Sequence, residues 1–317
     1  MSESASIQAR VFSGHESFPI RFTWLTKAVR HCEVKEDRDL FSRPDAMVTL
    51  GVGKNMVRSM RSWALATRML EPDVDEGRVT RLKPTPVGAM LFGEDGLDPF
   101  MEDPATIWLV HWSLASYPKI ATWFWAFNEL RETEFEKSQL VKKLLRSSQE
   151  MSERSVAEDT IARDVDCFLR TYVPSDPDKR ISREDLLDCP LTELGLIRRS
   201  GGTNTFAFVR GKQESLPDEV FAYCLLSFWN ARPSNADSLR FDEIAFSSGS
   251  PGQIFKLTEN AIVDRLYTLS EITGGVIRYD DTAGLRQALR TGRCDPMTLL
   301  SRYYKTKARE VRHASAH

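Results

Sequence analysis

What most constrains this chain is a break between two helical runs of unlike character. Gly51-Val52-Gly53 separates the short run Ala46–Leu50 from a long amphipathic stretch that begins at Lys54. Two glycines in three residues let the backbone turn sharply. On a helix of about 100° per residue, Met56, Met60, Trp63, Ala64 and Thr67 share one side, while Lys54, Arg58, Arg61 and Arg68 fall within about 80° of one another on the other. Asn55 and Ser62 flank the basic stripe. The apolar stripe should bury this helix against its own domain and turn the basic stripe outward. Residues 51–70 carry four basic side chains and no acidic one. The pattern predicts a helix from Lys54 to Leu70 that Pro72 ends. Turn chemistry follows at Asp73–Gly77, then a strand at Arg78–Leu82. Upstream, Phe22–His31 reads as a helix, and Ser42-Arg43-Pro44-Asp45 as a helix start. Downstream, Thr85-Pro86 opens a helix through Phe92. Helix, tight turn, helix and hairpin together read as a winged helix. In that motif the second helix meets the major groove. Arg58, Arg61, Arg68 and Asn55 have the chemistry to read base edges. Lys54 and Ser62, with Arg78, Arg81 and Lys83 on the wing, suit phosphates. The competing reading is a solvated charged face.

The same grammar recurs twice. Helices at Phe135–Gln149 and Val156–Tyr172 precede strands at Gly195–Arg199 and Thr205–Val209. Helices at Asp218–Asn230, Gly252–Leu257 and Glu259–Ile272 precede a strand at Val276–Tyr279. The expected fold is mainly α with small β wings, built from consecutive winged-helix (helix-turn-helix) units. The expected domains are an N-terminal winged helix at 1–95, an aromatic helical connector at 96–134, a second unit at 135–212, and a third at 213–317 that ends in a basic tail. The connector holds four of the seven tryptophans, Trp108, Trp112, Trp123 and Trp125. They read as core, with a base-stacking platform as the alternative if the rings were exposed. The second unit's corresponding helix carries Glu158, Asp159, Asp164 and Asp166, a surface that would repel phosphate and suits scaffolding or partner docking. In the third unit Glu259 and Asp264 offset Arg265. Residues 283–317 hold eight basic and two acidic side chains, read as a solvated tail or a nonspecific phosphate contact.

Composition narrows the function classes. The net charge is −2, so the basic stripe is a local excess and not a property of the whole chain. Five cysteines with no C-x-x-C pair argue against a zinc knuckle or a disulfide framework and point to a reducing, cytoplasmic compartment. No secretory pattern stands at Met1–Phe12, and the longest apolar run, Val220–Trp229, is about half of what a membrane helix needs. There is no Walker A sequence, no G-x-G-x-x-G, no G-x-S-x-G and no H-N-H arrangement, so no nucleotide or redox cofactor is expected.

One further segment stands out. Phe12-Ser13-Gly14-His15-Glu16-Ser17-Phe18-Pro19-Ile20-Arg21 leads into a helix containing Trp24. This run resembles a bacterial domain-of-unknown-function family typified by SspB, of the DNA phosphorothioation (Ssp) and antiphage defence system, at Gly14, His15, Glu16, Phe18, Pro19, Arg21 and Trp24. The resemblance implies a protein that binds double-stranded DNA and nicks one strand so that sulfur can be placed by a cysteine desulfurase, an ATPase and a reductase-like sulfur-transfer protein. It also implies a divalent metal, Mg²⁺ or Mn²⁺, with His15, Glu16 and Arg21 as candidate catalytic residues; the metal ligands are not specified. Read as residues alone, His15 beside Glu16 could serve a metal or move a proton. Equally, Glu16 could pair with Arg21 while His15 braces the helix entrance. Two non-enzymatic alternatives stand beside nicking: an adaptor that recruits the modification proteins to DNA, and a transcriptional regulator.

Overall fold

The computed structural model describes residues 11–74, 81–151, 156–175, 189–201, 204–232 and 236–314. The chain packs as two compact units, residues 1–209 and 210–317. It is mainly α-helical, with three small antiparallel sheets.

The first unit opens with α1 (Trp24–Glu33), α2 (Ala46–Leu50) and α3 (Lys54–Ala66), followed by strands β1 (Leu70–Pro72) and β2 (Leu82–Pro84) and helix α4 (Pro86–Phe92). Gly51 closes α2 in the left-handed conformation, φ 65°, and Gly53 caps α3. Thr85 caps α4 through its hydroxyl, which accepts from the Gly88 N–H, with Pro86 in the first turn. Strands β1 and β2 pair with Leu70 opposite Pro84 and Pro72 opposite Leu82.

The long helix expected through Leu70 stops four residues earlier, at Ala66. Its end is a Schellman closure: Met69 N–H bonds to Ala64 O, Arg68 N–H to Leu65 O, and Arg68 takes the left-handed position at φ 57°. Leu70 then begins a strand, so Pro72 ends no helix.

Helices α5 (Pro104–Ala115) and α6 (Ala121–Asn128) form the centre of this unit. Every residue of α5 from Ala105 to Ala115 is buried, as expected of a helix apolar all round. Trp108, Trp112 and Trp123 are buried and Trp125 half-buried, so these rings are core and offer no exposed platform for bases.

The unit closes with β3 (Glu134–Glu136), α7 (Lys137–Met151), α8 (Glu158–Tyr172), β4 (Ile197–Arg199) and β5 (Thr205–Phe208). The helix expected from Phe135 starts two residues late, because Phe135 sits in β3 opposite Phe206. The sheet order is β3-β5-β4.

The second unit contains α9 (Asp218–Asn230), β6 (Ser238–Arg240), α10 (Phe241–Phe246), α11 (Pro251–Ile254), α12 (Glu259–Ile272), β7 (Ile277–Asp280), β8 (Gln287–Arg290) and α13 (Pro296–Ala314). Its sheet order, β6-β8-β7, repeats the rule of the preceding sheet: the strand before the helices pairs with the last strand after them. Near the β1–β2 hairpin a single backbone bond, Leu82 N–H to Arg38 O, lies where such a first strand would pair. Two expectations change here. Gly252–Leu257 is the short α11 and its exit, and the basic tail is a 19-residue helix whose Leu299, Leu300 and Tyr304 are buried.

Candidate functional site

The site is built where the Gly-His-Glu segment lies across α3. Lys54, Asn55 and Arg58 stand exposed on the first turns of that helix, and Arg61 and Ser62 are half-buried. No acidic residue occupies the first turn of α3, so its N-terminal end adds partial positive charge to the cations there. Lys27 Nζ donates to Leu50 O at 2.9 Å and so satisfies a carbonyl at the end of α2.

Residues 13–18 fold back sharply. Ser13, Glu16 and Ser17 all have positive φ, 55°, 47° and 65°. Non-glycine residues persist there only where surrounding contacts fix them. Asp164 of α8 supplies those contacts. Its carboxylate accepts from the Ser13 N–H at 2.8 Å, from His15 Nε2 at 2.7 Å and from the Thr122 hydroxyl. His15 Nδ1 accepts the Ser17 N–H at 3.1 Å. That bond assigns the proton to Nε2, where it is donated to Asp164. His15 is 6% exposed, its ring stacked on Trp63 at 6.0 Å and edge-on to Trp123 at 5.9 Å. Three further donors hold the segment's carbonyls. Ser59 Oγ reaches His15 O at 2.8 Å, Trp63 Nε1 reaches Phe18 O at 2.9 Å, and Arg170 reaches Ser17 O. Gly14 presses on α3 so closely that a Cβ there would sit 2.5 Å from Ser62 Oγ.

Two expectations are corrected by this geometry. Asp164 is 2% exposed and forms the buried anchor of the segment, so it is no part of a phosphate-repelling surface. Its partners Ser13 and His15 lie some 150 residues away in sequence, and the apolar flanks of α8, Ile161, Val165 and Phe168, are the signal that position 164 faces inward. Asp166, on the same helix, is neutralised by Lys137 at 2.6 Å. Glu16 does not pair with Arg21. It faces Arg58 at 3.7 Å, and the Arg21 guanidinium lies over the Trp24 ring at 5.7 Å.

The remaining basic residues scatter. Arg68 lies beyond the end of α3, donates to Ser116 Oγ at 2.8 Å and stacks on Tyr117 at 5.6 Å, so it leaves the stripe formed by Lys54, Arg58 and Arg61. Arg81 reaches Lys35 O at 2.5 Å, and Lys83 lies 3.8 Å from Asp73. Arg78 lies outside the described residues. The hairpin base is tied by Arg38 to Asp73 at 2.7 Å. This guanidinium, and then Lys83 and Arg81, hold the Asp73 carboxyl below the usual carboxylate range.

Among the described residues no three His, Cys, Asp or Glu side chains converge as a metal site. Both nitrogens of His15 are already engaged, and Glu16 offers one carboxylate next to a guanidinium. The described donors therefore do not assemble a magnesium cage.

Solved structures resemble the chain as a whole. An SspB crystal structure is 32% identical, with a TM-score of 0.82, covering 95% of this chain and 91% of that one. A magnesium ion-bound SspB crystal structure is 31% identical, with a TM-score of 0.83, covering 96% and 91%. No curated protein matches the sequence. A model of the family described as "Protein of unknown function (DUF4007)" matches residues 12–304. On that match, and on a likeness to SspB that extends over nearly the whole length of both chains, this protein belongs to the SspB-like DUF4007 family.

Proposed function

We propose that the chain is a DNA-binding component of a bacterial phosphorothioation defence system, and that its first three helices and hairpin grip double-stranded DNA as a winged helix. The observation that carries this reading is the start of α3. Lys54, Asn55 and Arg58 are exposed immediately after the Gly51–Gly53 turn, at the positively polarised end of a helix. The strand order shared by the two three-stranded sheets supports winged-helix units further along the chain. The phosphorothioation context rests on the likeness to SspB. Partners of that chemistry are a cysteine desulfurase, an ATPase and a reductase-like sulfur-transfer protein. Lys54, Arg58 and Arg61 suit phosphates, and Asn55 and the arginines also have the chemistry to meet base edges. The test is K54Q/R58Q in the full chain, titrated with duplex DNA across a salt series. The slope of log K against log salt should fall by roughly 1.8, about 0.9 for each phosphate-range cation lost. An unchanged slope removes α3 from the interface.

A second reading, metal-dependent nicking of one strand, is favoured by the magnesium ion-bound SspB structure among the neighbours. In this geometry Glu16 is the accessible carboxylate, and His15 is a positioning residue that fixes the turn carrying it. Supercoiled plasmid with Mg²⁺ or Mn²⁺ separates the readings: relaxed circles indicate nicking, and shifted but intact DNA indicates an adaptor. If Glu16 acts in the chemical step, E16Q should lower nicking by ~10²–10⁴-fold with melting unchanged.

A further inference from the structure

We propose that the outward stripe of α13 formed by Arg302, Lys305 and Arg309 is a second, sequence-independent surface for the phosphate backbone of duplex DNA. The proposal rests on reading the chain as a DNA-binding protein and adds a contact region in the second unit.

The burial pattern of α13 defines the stripe. Leu299, Leu300 and Tyr304 are buried, and the helix packs on α9. At about 100° per residue, Arg302, Lys305 and Arg309 fall within about 60° of one another, on the side opposite Leu300 and Tyr304. Arg302 donates to the Ile272 carbonyl, which anchors the base of the stripe to the unit. From Lys305 to Glu310 every residue is exposed, so this stretch of the helix turns its side chains to solvent. The nearby acid, Glu310, faces Lys307 at 3.9 Å and lies off the stripe. Lys305 and Arg309 make no ion pair among the described residues, and residues 296–309 contain no acid.

An exposed helix segment is marginal by itself, and a row of like charges adds repulsion. A polyanion relieves both. The chemistry favours DNA over an acidic protein. The stripe offers no aromatic or aliphatic anchor, whereas protein interfaces concentrate affinity in such anchors and deplete lysine. The seven helical rises from Arg302 to Arg309 span about 10 Å, close to three base-pair steps of a DNA strand. Such a row of cations attracts phosphates whatever their sequence.

The test uses the full chain carrying K305Q/R309Q. Both side chains are exposed, so its melting should match wild type. Two unrelated duplexes of equal length are titrated across a salt series by fluorescence anisotropy. The salt slope should fall by roughly 1.8 for both duplexes alike, and K305R/R309K should restore it. A wild-type slope in K305Q/R309Q overturns the proposal. If wild-type protein binds neither duplex, the DNA-binding reading fails and this proposal fails with it. If K54Q/R58Q binds normally while K305Q/R309Q is weakened, α3 is dismissed and the α13 surface stands.

Discussion

Asp164 offers the sharpest test of how the Gly-His-Glu segment is held. Truncation to alanine would strand three donors in a buried place: the Ser13 N–H, His15 Nε2–H and the Thr122 hydroxyl. Each unsatisfied donor costs about 1 kcal/mol or more, so stranding all three costs about 3–5 kcal/mol. For a unit of this size each kcal/mol shifts the midpoint by about 2–4 °C, so D164A should melt roughly 6–20 °C below wild type. D164N behaves differently. Its carbonyl still accepts from Ser13 and His15, and its amide donates to Thr122, whose hydroxyl can rotate to accept. The loss there should be about 1 kcal/mol. Thermal unfolding followed by near-ultraviolet circular dichroism suits the purpose, because Trp63 and Trp123 flank the His15 ring. If D164A melts within a degree or two of wild type, Asp164 does not anchor the segment.

Three further outcomes follow from the same geometry. G14A should cost less than about 1 kcal/mol, because the Ser62 hydroxyl alone must turn aside, and G14A/S62A should recover the difference, a coupling readable from a denaturant double-mutant cycle. The Asp73 carboxyl is held below its ordinary pKa, chiefly by Arg38, so its contribution is present near neutral pH and is lost as pH falls through the lowered value; the melting difference between wild type and D73A should shrink below about pH 4 and disappear at lower pH. E16Q should tighten duplex binding by about 1.4- to 5-fold by releasing Arg58 from its exposed carboxylate partner, and weaker binding would place Glu16 in a positive role at the interface.

Much of the architecture was legible in local chemistry. The Thr85-Pro86 cap set α4, and α9 and α12 run over the residues their apolar spacing predicted. The glycine turn before α3 was equally plain. Local pattern misled where a distant or backbone event decided. Arg68 fits the basic stripe on a continuous helix, but the Schellman closure turns it away at Ala66. Asp164 looked like one acid among four, because its partners Ser13, His15 and Thr122 arrive from other elements. The strands β3, β6 and β8 are three or four residues long, too short for alternation to register. In α13 the dense basic residues masked an apolar face as small as Leu299, Leu300 and Tyr304.

The bond between His15 and Asp164 spans 149 residues, and that distance has a consequence for synthesis. At ~5–20 residues per second, roughly 7–30 s pass between the emergence of the two partners from the ribosome. During that interval α1–α3 and the hairpin can collapse, because their contacts are local. The turn at residues 13–18 cannot settle, since its three left-handed residues lack the carboxylate that fixes them. The outer face of α3 is therefore finished last, after α8. A fragment ending near Gly93 would keep the helices but lose Thr122, Trp123 and Asp164, leaving His15 without its anchor and Trp63 without its edge-on neighbour. In a nascent or truncated chain, the basic helix would stand ready before the segment that lies across it.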